Sequence, residues 1–199
     1  MERLEQRAPA SKGGHLRREF EYERHGTTTL MAALNVRDGK IVNRYINPTR
    51  TEADFLIFVK QTVEPLIKDK ADVEVIILAD QLNTHVSESL VLWTADILGI
   101  KGILGKKRKK GILYDQQTRK AFLEDEKHRI RFVFTPKHCS WLNPIENWFA
   151  KLQRHVLYNG NFSSVKELET KIEKYIDYHN TCKAKPLKWK FNGLVLQVL

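Results

Sequence analysis

The sequence predicts an α/β fold, a mixed and partly parallel sheet with helices layered against it. Three observations lead there. Two strand-like runs flank an Asp-Gly turn signal at residues 37–39. Two more short apolar runs, at 73–79 and 129–134, stand far apart in the chain, so pairing them in parallel requires a crossover. Between and after them, apolar residues recur at helical spacing behind capping signals.

Residues 1–19 are polar and highly charged and read as a poorly ordered lead-in, leaving 20–199 as a single domain without repeats or an interdomain linker. Residues 27–36 (TTTLMAALNV) and 40–46 (KIVNRYI) flank Arg37-Asp38-Gly39 and predict a β-hairpin. Thr51-Glu52-Ala53-Asp54 has the pattern of a capping box, and Phe55, Phe58, Val59, Thr62, Val63 and Leu66 follow at helical spacing. Residues 73–79 (VEVIILA) fit a strand buried on both faces, ending at Asp80. A helix is expected over 88–98, with Gly99 as its stop. Residues 100–128 read as irregular and basic, and 129–134 as a strand.

A Pro-bounded loop within 135–149 then opens a helix that runs to about residue 158. Trp141, Leu142, Ile145, Trp148, Phe149, Leu152 and Val156 make its buried face. Ser164-Val165-Lys166-Glu167 is a second capping box, and Val165, Leu168, Ile172, Tyr175, Ile176 and His179 continue that helix.

Composition narrows the function classes. The 34 Lys and Arg against 24 Asp and Glu give a net charge of +10, an excess that points to an acidic partner such as nucleic acid. Two cysteines, Cys139 and Cys182, make no disulfide framework, and no apolar run approaches the ~20 residues that span a bilayer. A cytoplasmic, reducing compartment with no membrane role is the expectation.

Two acids are placed where chemistry gathers. Glu146 lies about 100° round the helix from Ile145, at the margin of the apolar face. There it is either a cleft carboxylate or a first-turn acid favoured by the helix dipole. Asp80 ends the apolar strand in Ala79-Asp80-Gln81-Leu82-Asn83-Thr84-His85, at the edge where open α/β sheets bind ligands, unless it only caps a turn. Carboxylates in a basic protein suit a nucleic-acid enzyme. Mg²⁺ prefers oxygen ligands, and two such ions roughly 4 Å apart can activate a nucleophile and stabilise a leaving oxygen, while Lys and Arg hold the DNA backbone.

The segments Glu21-Tyr-Glu-Arg-His-Gly-Thr27, Ala79-Asp-Gln-Leu-Asn-Thr-His85 and Thr135-Pro-Lys-His-Cys-Ser-Trp-Leu-Asn-Pro-Ile-Glu146 resemble bacterial insertion-sequence transposases of the mariner-like superfamily, as does the tail Tyr178-His-Asn-Thr-Cys-Lys-Ala-Lys-Pro-Leu-Lys-Trp189. The resemblance implies a ribonuclease H-like domain that uses three acids with Mg²⁺ (or Mn²⁺) to cut DNA at element ends and join the ends to target DNA. It implies a homodimer in the intact transposase and a bacterial, nucleoid-associated location. By motif, Asp80 is the second acid and Glu146 the third, both metal ligands. Asn83, His85, His138, Ser140, Trp141 and Asn143 are then second to the ligands or DNA-facing.

One departure has consequences. In that family the first acid ends a strand shortly before a Leu-Glu-rich stretch, here Leu4-Glu5-Gln6-Arg7. The resemblance therefore places the first Asp, and the central strand carrying it, upstream of Met1, and implies an amino-terminally truncated transposase lacking its helix-turn-helix region. The first hairpin strand and the Asp80 strand would each keep an unpaired edge. Glu19, Glu21 and Glu23 alternate along an extended segment and are either substitutes for the missing acid or a solvated strand face.

Lys106, Lys107, Arg108, Lys109 and Lys110, between Gly105 and Gly111, form either a DNA-contacting loop or a solvated charge run, and Lys137 joins them as a candidate DNA contact. His138, Cys139, His128, His155 and Cys182 fit no paired zinc-ligand spacing. Trp148 and Phe149 read as core, while Trp141 at the loop–helix junction is either core or a DNA contact.

Overall fold

Asp38 and Gly39 make a tight local turn. In the computed structural model, which describes residues 2–3, 22–70, 72–102, 104–137, 139–158 and 160–188, the Lys40 amide donates to the Asp38 carboxylate at 2.9 Å. Gly39 has φ +74°, and a Cβ there would fall 2.1 Å from the Lys185 carbonyl, so only glycine fits. This turn joins β3 (Thr29–Leu34) to β4 (Ile41–Asn47), antiparallel from Thr29 opposite Asn47 to Leu34 opposite Ile41, with a bulge at Ala33/Leu34. A two-residue pairing of β1 (Glu2–Arg3) with β2 (Tyr22–Glu23) precedes the hairpin.

The capping box at residues 51–54 forms as expected and starts α1 (Glu52–Ile67). Asp54 is buried, and its carboxylate accepts from the Thr51 amide (2.7 Å) and from the hydroxyls of Thr51, Thr49 and Tyr45. These bonds, the Thr51 amide foremost, hold its pKa at about 2, below the usual 3.8. A depressed carboxylate stabilises the fold above its unfolded pKa and loses that contribution as pH falls through the folded one. Thermal melts should therefore show stability lost between pH of about 3.8 and about 2, with a smaller loss over that window in Asp54→Asn. An equal loss in both proteins would remove Asp54 as the cause.

Beyond α1 come β5 (Val75–Ala79), α2 (Glu88–Ile97), α3 (Gln116–Leu123) and β6 (Ile130–Phe134). β5 and β6 pair in parallel, from Val75 opposite Ile130 to Ala79 opposite Phe134. α4 (Pro144–Leu152) runs on through a widened π-type turn at Gln153–Leu157. α5 (Val165–Tyr178) ends in a second one at His179–Lys183. The described residues thus form a mixed α/β fold with five α-helices, in agreement with the predicted class.

The sheet is divided. Among the described residues, hydrogen bonds join β3 only to β4 and β5 only to β6. The two pairs nevertheless share one core. Met31, Ala33 and Tyr45 of the hairpin pack against the same cluster as Val75, Ile77 and Phe132, beneath Phe55, Phe58, Val59 and Val63 of α1. The other hairpin face, Leu30, Ala32, Leu34 and Ile46, packs on Trp148, Leu152, Ile172 and Ile176 of α4 and α5. Among the described residues each of these four strands keeps one unpaired edge, including β3 and β5, which the resemblance sets on either side of a central strand.

Several expectations change. The run at 73–79 is not buried on both faces: Ile76 is 53% exposed, because the second cluster contains no residue of β5 or β6. Leu66 is 43% exposed near the end of α1. The stretch 100–128 contains α3, started by an Asp115–Thr118 capping box. The box at 164–167 closes only on one side: Ser164 caps the Glu167 amide, whereas Glu167 reaches past it to the Ser163 amide at 2.9 Å. The lead-in at 1–19, apart from residues 2–3, and Glu19, Glu21 and Trp189 lie outside the described residues. No helix among the described residues is long and apolar enough to cross a membrane.

Candidate active site

A parallel pair sends both of its following loops from the same edge, and this brings two distant segments together. The Thr135 amide donates to the Ala79 carbonyl at 2.9 Å. The Gln81 side-chain amide then donates to the Thr135 carbonyl at 2.8 Å and ties the loop after β5 to the loop after β6. Asp80 starts the first loop, and the second leads to Glu146.

Asp80 is held through one oxygen. A short 3₁₀ turn at Asn83–Val86 folds His85 back over the strand end. His85 Nδ1 lies 2.6 Å from Asp80 Oδ1 and 3.1 Å from the Asp80 carbonyl oxygen. The Leu82 amide also donates to Oδ1, at 3.3 Å. The imidazole is stacked on the buried Phe55 ring, 4.0 Å between centroids at 29°. The His85 hydrogen bond, helped by its charge and by the Leu82 amide, lowers the Asp80 pKa against the opposing effect of burial. Asp80 is therefore an ionised, half-buried carboxylate, and its Oδ2 makes no hydrogen bond or ion pair among the described residues.

Glu146 is positioned by the start of α4. The Asn143 side chain accepts from the Ile145 amide at 3.3 Å, Pro144 takes the first helical position, and Glu146 follows in the first turn. Trp148 and Leu152 are buried and Ile145, Phe149 and Val156 pack beside them, so Glu146 points out from the margin of that face and is exposed. Trp141 does not belong to the buried face. It sits before the helix in a 3₁₀ turn, Ser140–Leu142, and is 68% exposed.

Ser140, Lys137 and Asn83 are exposed, and His138 lies outside the described residues. The basic loop is a tight reversal. Lys106 and Lys110 form an isolated bridge, and a Cβ on Gly105 (φ +94°) would fall 2.0 Å from the Lys110 carbonyl. Arg108 at its tip has φ +60°, and Lys106, Lys107, Arg108, Lys109 and Lys110 are all exposed.

The structure thus gathers Asp80, His85 and Gln81 with the root of the loop leading to Glu146. Among the described residues it joins no three His, Cys, Asp or Glu side chains into a group able to hold a metal ion. The donor chemistry fits a hard divalent cation, since both candidates are oxygen donors and Asp80 is ionised with an oxygen to spare, but two carboxylates do not complete a site. Sequence reasoning did not find Gln81, whose cross-loop bond depends on the pairing of β5 with β6. Nor did it assign Phe55, read only as helix core, to the support of His85.

The family model of the DDE superfamily endonuclease matches residues 2–169. That of the integrase core domain matches residues 146–194. No curated protein matches the chain. Domains of these kinds act on DNA, in strand cleavage and integration, and generally use divalent metal ions. With the first match covering well over half of the 199 residues and spanning both the Asp80 edge and the start of α4, this chain belongs to the DDE superfamily endonuclease family.

Proposed function

We propose that this chain is the catalytic domain of a transposase of the mariner-like type, which cleaves DNA strands at element ends and transfers them to target DNA with Mg²⁺ or Mn²⁺. The observation that carries the reading is Asp80: ionised, at a strand end, one oxygen locked by His85 and the other without a partner among the described residues. Asp80 and Glu146 would hold the divalent ions, with a third carboxylate from outside the described residues. When bound, such ions activate the attacking oxygen and stabilise the leaving one.

The chain's own residues supply the rest. His85, braced by Phe55, fixes the rotamer of Asp80. Asn143 sets where α4 begins and so where Glu146 projects. Lys106, Lys107, Arg108, Lys109, Lys110, Lys137, His138, Ser140 and Trp141 are positioned along DNA, the cations on its phosphates. Asn83 begins the 3₁₀ turn that returns His85 and faces solvent beside Asp80, where DNA would lie. Water, and then the freed 3′-hydroxyl, are the nucleophiles.

Mn²⁺ titration followed by electron paramagnetic resonance tests the metal assignment. Asp80→Asn should remove binding. His85→Ala should weaken it by ~10–100-fold, while His85→Asn, which keeps a donor, recovers part of it. Binding unchanged in Asp80→Asn would overturn the reading.

A second reading is favoured by the lack of a three-ligand group among the described residues. On that reading the chain by itself is a non-catalytic DNA-binding or dimerising remnant of a transposase. Mg²⁺-dependent nicking of duplex DNA by this chain would reject it.

A further inference from the structure

Two acids of α5 are engaged on one side of the helix: Glu169 accepts from the Thr28 hydroxyl at 2.8 Å, and Glu173 from the Arg44 guanidinium at 2.6 and 2.9 Å. Lys171 and Lys174 lie on the opposite side of the helix. There they face the widened turn after α4 and, with Arg154, His155, Val156 and Gly160, line an open concavity of about 410 Å³.

Local structure explains the hollow. The Tyr158 amide donates to the Gln153 carbonyl at 2.8 Å, the five-residue spacing of a π-turn, which widens the helix and redirects the side chains that follow. Gly160 approaches the Phe162 ring so closely that a Cβ would fall 2.3 Å from it. His155 stacks on Tyr175 at 5.9 Å, and Lys171 lies 4.9 Å from the Phe162 ring with Glu167 as its ion-pair partner at 2.7 Å. Arg154 and Lys174 are exposed and have no hydrogen bond or ion pair among the described residues. Three permanent cations therefore surround the hollow, of which Lys171 is paired with Glu167.

We infer that this concavity is a DNA-backbone site, separate in sequence and structure from the 106–110 loop, in which Arg154 and Lys174 neutralise phosphates. The inference rests on the proposed function above. Long cationic side chains around an open hollow suit a polyanionic strand that passes through it. A discrete small anion would instead call for fixed backbone donors. Arg154 lies within the π-turn and lines the hollow together with the lysines of α5.

The test is fluorescence anisotropy on the full chain with a labelled DNA duplex over a salt series. Each neutralised phosphate contributes about 0.9 to the log–log salt slope, so Arg154→Gln/Lys174→Gln should lower the slope by about 2. Between ~50 and ~200 mM salt the parent should lose about tenfold more affinity than the variant. Lys68→Gln/Lys127→Gln, an equal charge change elsewhere, should alter the slope little, and both variants should melt with the parent because the substituted side chains are exposed. If the parent binds and the slopes of parent and first variant coincide, or the control falls equally, the concavity is not a phosphate site and the functional reading stands. If the parent does not bind duplex DNA, both fall together.

Discussion

Glu146→Gln and Asp80→Asn, each placed in a polypeptide that supplies the third carboxylate, are expected to reduce DNA strand cleavage by about 10²–10⁴-fold. That range follows from the several kcal/mol that metal-assisted charge stabilisation contributes, at tenfold per ~1.4 kcal/mol. Duplex binding should persist in both, since the phosphate contacts belong to Lys and Arg, and removing a negative charge does not weaken them. The two substitutions are not equivalent in structure. Asp80→Asn replaces a carboxylate engaged by His85 and the Leu82 amide, so it also disturbs the turn at Asn83–Val86. Glu146 is exposed and carries no such bonds, so its variant should melt like the parent. Cleavage by Glu146→Gln at the parental rate would reject the assignment of Glu146, whatever the outcome at Asp80.

The largest loss of stability is expected from Phe132→Ala. Phe132 is fully buried in β6, its ring 5.8 Å from that of Phe134 at an interplanar angle of 10°. Removing it should cost about 3–5 kcal/mol, through lost burial and a cavity that the surrounding helices cannot close. Against the ~5–15 kcal/mol typical of a whole domain, that is enough to unfold a substantial fraction of molecules. Denaturant titration would measure it. Ile76→Ala on the neighbouring strand provides the contrast: its side chain is 53% exposed and should cost within ~0.5 kcal/mol. A Phe132→Ala cost no larger than that of Ile76→Ala would mean that the ring does not pack as described.

What the sequence made legible was local. The Asp38-Gly39 turn, the Thr51–Asp54 box and the apolar stripes of α4 (Trp148, Leu152) and α5 (Ile172, Ile176) all rest on spacings of a few residues, where periodicity and turn chemistry are decisive. The eight-residue α3 was missed because its sequence, QQTRKAFL, carries too few apolar residues to show a period. Ile76 was misjudged for a tertiary reason. A β-branched apolar run signals a strand, but whether its second face is covered depends on where α4 and α5 dock, and they dock on the hairpin.

The same division runs through the candidate site. Asp80 and Glu146 could be nominated from a strand end and a helix margin. The bond from Gln81 to Thr135 follows from the parallel register, and the stacking of His85 on Phe55 from the packing of α1 over the turn after β5, contacts between residues far apart in sequence.

The divided sheet also shapes how this chain reaches its fold. β3 and β4 meet across a six-residue connection, so their ladder closes on the ~1–10 μs scale of a hairpin. β5 and β6 must wait for Val75 to find Ile130, after α2, the basic loop and α3 have been brought round, and long-range parallel pairing is slow. No backbone ladder among the described residues passes the first event on to the second. Their coupling runs through the side chains of α1, which touch both pairs. Phe55 and Phe58 thus act as the hinge of cooperativity, where an early hairpin becomes a scaffold for the catalytic edge.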